Sequence, residues 1–135
     1  MTKRGSGELP NSPRVLIVED EFFTREFLSI CLEKSGYQVV SCSNGADALA
    51  ILKSGSRDNL LCVITDIQMP KMDGLELLQA IRSNQSLCGT TVIAFTANEE
   101  RLESGLEFDS TYIKPDTKLL ISGLKDLRDK KTIWQ

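Results

Sequence analysis

The chain contains no histidine among its 135 residues. Histidine-based catalysis and histidine metal sites are therefore excluded within it. The four cysteines, Cys31, Cys42, Cys62 and Cys88, show no C-x-x-C spacing. Three fall within apolar patterns, which reads as small buried hydrophobes in a reducing cytoplasm. No apolar run approaches the roughly 20 residues of a membrane span, and no signal-peptide core follows Met1. A cytoplasmic location and no membrane partner are expected. Lys and Arg total 16 against 19 Asp and Glu, for a net charge of -3, so there is no basic footprint for nucleic acid. Neither G-x-G-x-x-G nor G-x-x-x-x-G-K-[ST] occurs, which argues against a nucleotide enzyme. No internal repeat is found, and the length fits one domain.

What is present is a set of short apolar runs, each ending in a reactive or charged residue. Val15 to Val18 runs into Glu19-Asp20-Glu21. Leu60 to Thr65 runs into Asp66, Thr91 to Phe95 into Thr96-Ala97, and Tyr112-Ile113 into Lys114-Pro115. A buried parallel strand has no use for an unpaired carboxylate at its end, so Asp66 points to a site rather than to packing.

Between these runs the pattern turns helical. From Thr24 to Glu33, Phe23, Phe27, Ile30 and Cys31 share one helix face. Gln38 to Cys42 is a β-branched strand. Ala46 to Lys53 is helical, with Ala46, Leu49, Ala50 and Leu52 on its apolar side. Pro70 and Gly74 punctuate a loop, and Asp73-Gly74 reads as turn and cap chemistry. Leu75 to Arg82 carries the stripe Leu75, Leu78, Ile81. Asn98 to Glu107 is short and polar, and Thr117 to Asp129 is the last helix. Residues 1–13, rich in Gly, Ser and Pro, read as a flexible tail or linker, residues 14–130 as the domain, and 131–135 as a second tail. Strand and helix alternate throughout, which predicts an α/β fold with a doubly wound parallel sheet of five strands. Ligands bind such sheets beyond the carboxyl ends of the strands, where the runs above all terminate.

The residue types suit phosphoryl chemistry. Clustered acids repel one another unless a cation intervenes, and a hard divalent ion such as Mg²⁺ is matched by carboxylates, a backbone carbonyl and water. An ionised carboxylate needs no base to attack phosphorus. A lysine ammonium neutralises incoming phosphoryl charge, and a threonine hydroxyl can donate to it.

In these motifs, Glu19-Asp20, Asp66 with Met69-Pro70-Lys71-Met72-Asp73-Gly74, Thr96-Ala97 and Lys114-Pro115, the chain resembles the response-regulator receiver domains of two-component signalling and phosphorelays. The resemblance covers about residues 14 to 128 and implies the flavodoxin-like strand order 2-1-3-4-5. It implies Asp66 as phosphoacceptor, Thr96 as switch hydroxyl and Lys114 as phosphate-binding cation. Mg²⁺ would be held by Asp20 directly, by Glu19 through water, by Asp66, and by the backbone carbonyl of Gln68. It also implies a cis Lys114–Pro115 bond. The implied partners are a histidine kinase or histidine phosphotransfer protein, which brings the histidine this chain lacks, and a downstream protein target. Catalysis would extend only to the domain's own phosphorylation and dephosphorylation.

Two features depart from the family pattern. The position three before Lys114, where an aromatic switch residue is usual, holds Thr111, and the aromatic Tyr112 comes one later. The Thr96-to-Lys114 spacing is also shorter than usual, which predicts a short or irregular fourth helix. The alternative reading is a receiver-like binding module that is not phosphorylated.

Overall fold

Apolar runs without alternation bury well in a sheet covered on both faces, and they do so here. The computed structural model describes residues 12–54, 59–97 and 107–133. In chain order these form β1 (Arg14–Val18), α1 (Phe22–Lys34), β2 (Gln38–Cys42), α2 (Gly45–Lys53) and β3 (Leu60–Thr65). They continue with α3 (Gly74–Ser83), β4 (Val92–Thr96), β5 (Ser110–Ile113) and α4 (Thr117–Ile133). The strands make one five-stranded parallel sheet in the order β2-β1-β3-β4-β5. This is the doubly wound, flavodoxin-like order that the resemblance to receiver domains implies. The expected short helix at Asn98 to Glu107 lies outside the described residues, apart from Glu107 itself.

Successive strand side chains point to opposite faces, and the core divides accordingly. Val15 and Ile17 of β1 pack with Leu28, Leu32, Leu120 and Leu124, so α1 and α4 cover one face. Leu16 and Val18 pack with Ala48, Leu52, Leu77 and Ile81, so α2 and α3 cover the other. Burying each such leucine or isoleucine is worth roughly 1.5–3 kcal/mol. Burial raises the Cys42 thiol to about 11 and the Cys62 thiol to about 12, which keeps both protonated at neutral pH.

Two helix faces differ from expectation. The aromatic stripe of α1 does not face the sheet: Phe23 is 76% exposed and Phe27 59%. Leu28, Ser29 and Leu32 are buried instead. Leu28 and Leu32 are one turn apart and meet Val15 and Ile17, which turns the phenylalanines outward. In α2 the buried residues are Gly45, Ala48 and Leu52, while Ala46 and Ala50 are exposed. That helix starts at Gly45 behind the Asn44 cap and packs closely on the following loop, where the Gly45 N–H donates to the Met72 carbonyl at 2.9 Å.

Register places the ends of β1 and β3 level and those of β4 and β5 level, with β4 running two residues further than β3, since Thr65 pairs with Ala94. Val18 pairs with Thr65, and Thr96 with Ile113. The residues just beyond each pair therefore emerge together at one sheet edge.

Candidate functional site

Glu19 and Asp20 follow β1, and Asp66 follows β3. The Asp66 N–H donates to the Val18 carbonyl at 3.0 Å, and the Glu19 N–H to the Cys42 carbonyl at 3.0 Å, so both leave the sheet in fixed positions. Carboxylate oxygens of Glu19, Asp20 and Asp66 all lie within 4.8 Å of one another. Glu19 is buried, Asp66 half-buried and Asp20 exposed. Hard oxygen donors, gathered at this spacing and open to water on one side, fit a magnesium-type cation.

Lys114 arrives from the far side, past β4. Its Nζ lies 2.6 Å from Glu19 Oε1 and 2.8 Å from Asp66 Oδ2. The other Asp66 oxygen, Oδ1, accepts the Ile67 N–H at 2.7 Å. The Lys114–Pro115 peptide is cis, and the Lys114 N–H donates to the Thr96 carbonyl at 2.9 Å. Thr96 is buried at the end of β4, beside Lys114 on the sheet edge. Gln68 is exposed in the loop two residues after Asp66.

Burial is the largest influence on Glu19 and raises its pKa above the ordinary 4.5. The hydrogen bonds from Lys114 and from the Glu21 N–H oppose it, and the like charge of Asp66 contributes least. Desolvation, rather than mutual repulsion of the acids, is thus what disfavours the charged form of Glu19. For Lys114, burial pulls downward, but its hydrogen bonds to Asp66 and Glu19 and their negative charges outweigh it. Its pKa rises above the ordinary 10.5.

Gly74 supports the placement of Asp66, a role the sequence did not reveal beyond its place in a turn and cap. Its N–H donates to the Ile67 carbonyl at 2.8 Å. A β-carbon there would sit 2.2 Å from the Asp66 carbonyl oxygen, so only glycine allows helix α3 to start this close to Asp66. Asp73 caps that helix in a reciprocal pair with Glu76, as expected of turn chemistry. Beside the site, Phe23, Thr24, Phe27, Leu28, Lys114 and Pro115 line a shallow groove.

Tyr112 belongs to the α1 and α4 side of the sheet, packed against the core there, whereas Thr111 is exposed. Neighbouring strand residues point to opposite faces, so moving the aromatic by one position also moves it to the other face.

A five-stranded parallel sheet with acids, a threonine and a lysine converging at its carboxyl edge defines a two-component receiver. The chain belongs to the response regulator receiver domain family, whose model matches residues 15–109. It is 36% identical over 107 residues to the sensor histidine kinase RcsC of Escherichia coli, covering 76% of this chain and 11% of that protein. It is 33% identical to the transcriptional activator PfeR of Pseudomonas aeruginosa, covering 67% of this chain and 29% of that protein. The chain thus spans only a minor part of these relatives. Among solved structures, the response regulator TrrA of Thermotoga maritima in complex with Mg²⁺–BeF superposes with a TM-score of 0.73 at 33% identity, over 85% of this chain and 98% of that one. Among the described residues no helix is long and apolar enough to cross a membrane.

Proposed function

We propose that residues 14–130 form a phosphoacceptor switch in the cytoplasm, with Asp66 taking a phosphoryl group from a phosphohistidine on a histidine kinase or phosphotransfer protein. The observation that carries this reading is the Lys114 ammonium held between Asp66 and Glu19 at 2.8 and 2.6 Å. A structural ion pair would need only Lys114 and one acid, whereas a binding module without phosphotransfer would have no use for the third carboxylate, the exposed Asp20, gathered beside it.

An ionised Asp66 oxygen attacks phosphorus in line with the leaving nitrogen. The new P–O bond forms as the P–N bond breaks, and the electron pair returns to the donor imidazole, which takes a proton from solvent. The attacking carboxylate carries no proton, so no general base is needed. Lys114 already faces Asp66 Oδ2, so its ammonium is placed to meet the incoming phosphoryl oxygens. Asp20, Asp66, Glu19 and the Gln68 carbonyl would hold Mg²⁺, which supplies charge neutralisation for the transferred group. Thr96 would donate its hydroxyl to the bound phosphoryl group, and that shift would alter the face around Thr96 and β5 that a downstream target recognises. Water attack on the same phosphorus would reset the switch.

The donor would approach over the groove lined by Phe23, Phe27 and Lys114. Phe23 and Phe27, exposed on α1, would be the surface it meets.

Incubation with acetyl phosphate and Mg²⁺, read by intact mass, tests the reading. One phosphoryl adduct on the wild type, absent without Mg²⁺ and absent in Asp66→Asn, supports it. No adduct on the wild type, or an equal one in Asp66→Asn, refutes it.

A further inference from the structure

Arg25 is half-buried at the fourth position of α1, close behind the Glu21 cap. A cation near a helix N-terminus opposes the helix dipole, so its presence there calls for a compensating contact. That contact is with the acidic loop. Arg25 Nη1 donates to the Glu19 carbonyl at 2.8 Å and also reaches the Asp20 carbonyl at 3.4 Å. The guanidinium lies over the Phe22 ring, 5.6 Å from its centre, and Phe22 in turn packs edge-on to Phe23 at 5.3 Å.

The rest of the loop is held independently. The Glu19 N–H goes to Cys42, and Glu19 Oε2 accepts the Glu21 N–H at 3.1 Å. Glu21 accepts the Thr24 N–H at 2.8 Å and the Thr24 hydroxyl at 2.7 Å. Asp20 stands between these two anchored residues and is the exposed member of the acid cluster. Arg25 bonds the carbonyls on both sides of the Asp20 N–Cα–C unit. Those two carbonyls set the orientation of the Asp20 α-carbon, and with it the direction of its carboxylate.

We propose that Arg25 is a positioning residue that aims Asp20 into the cation site through the loop backbone. The inference rests on the proposed Mg²⁺-dependent phosphoacceptor role. Its sign is distinctive. As a mere positive charge, Arg25 would repel a divalent cation, and removing it would tighten binding. As a positioning group, its loss loosens binding despite the relieved repulsion, by about tenfold or more as for other groups that orient metal ligands.

The experiment is calorimetric titration of the full chain with MgCl₂ alone, comparing wild type with Arg25→Ala and Arg25→Gln. Weaker Mg²⁺ binding in Arg25→Ala, with partial recovery in Arg25→Gln (which keeps an amide donor but no charge), supports the proposal. The acetyl phosphate adduct should then reach the wild-type yield at saturating Mg²⁺. Unchanged or tighter binding in Arg25→Ala overturns the positioning role while leaving the phosphoacceptor reading intact. A wild type that binds no Mg²⁺ overturns both. Should Arg25→Ala fail to fold by circular dichroism, the glutamine variant carries the comparison: binding equal to or tighter than wild type then overturns the role, and weaker binding supports it.

Discussion

Lys114 reaches Asp66 across an intervening strand: Nζ lies 2.8 Å from Oδ2, although β4 separates the strands that carry them. The ammonium is the one cation bonded to both Asp66 and the buried Glu19 among the described residues. Lys114→Ala should cut the rate of adduct formation with acetyl phosphate. It should also destabilise the fold by about 1–3 kcal/mol, because Glu19 loses a charged partner while it stays buried. Stopped-time labelling and urea unfolding check the two effects separately.

Glu19 gives a pH dependence of defined sign. Its folded-state pKa is raised above 4.5, chiefly by burial. Its contribution to stability is complete below the unfolded pKa and is lost as pH rises through the folded value. Glu19→Gln cannot ionise, so it should melt at a higher temperature than wild type at neutral pH in EDTA. The difference should vanish on acidification below about 4.5, the ordinary glutamate value. Equal melting temperatures across that range would contradict the burial argument. The same variant should bind Mg²⁺ more weakly, a cost to the site gained back as stability.

Glycine in a helix interior is ordinarily improved by alanine, by about 1 kcal/mol. Gly123 in α4 should behave in the opposite way. A β-carbon there would lie 1.9 Å from the Tyr112 hydroxyl, so Tyr112 must move for any larger residue to fit. Gly123→Ala is expected to destabilise by about 1–3 kcal/mol, as overpacking does. The double variant Gly123→Ala with Tyr112→Phe, which removes the clashing oxygen, should recover part of that loss in thermal unfolding.

How much of this was readable in the sequence differs from element to element. The parallel doubly wound sheet and the gathering of Glu19, Asp20, Asp66, Thr96 and Lys114 at one of its edges were legible, because strand and helix alternate and each apolar run ends in a polar residue; the strand order itself came from the resemblance to receiver domains. The faces of α1 and α2 were not. Helix α1 has two apolar stripes, and only contact with Val15 and Ile17 decides that Leu28 and Leu32 are buried rather than the phenylalanines. The roles of Gly74 and Arg25 were hidden for a related reason. Each acts through a backbone carbonyl, of Asp66 in one case and of Glu19 and Asp20 in the other, and side-chain patterns do not report backbone approach.

The outward phenylalanines make a separate prediction. Phe23→Ser should slow transfer from a phosphohistidine protein while leaving the acetyl phosphate reaction near the wild-type rate, since a small donor does not need the α1 surface. Removing a buried aromatic anchor from an interface typically weakens it by about 2 kcal/mol or more, so the effect should exceed tenfold in transfer efficiency. Equal slowing with both donors would instead mean that Phe23 supports the site itself.

The identity of the acceptor is tested most directly by residue-level mapping. Borohydride reduces an acyl phosphate to an alcohol, so the labelled chain, once reduced and digested, should carry homoserine at position 66 and aspartate or glutamate at every other acidic position. Homoserine at any other aspartate, 5-hydroxynorvaline at any glutamate, or an unreduced chain after verified labelling would contradict the account.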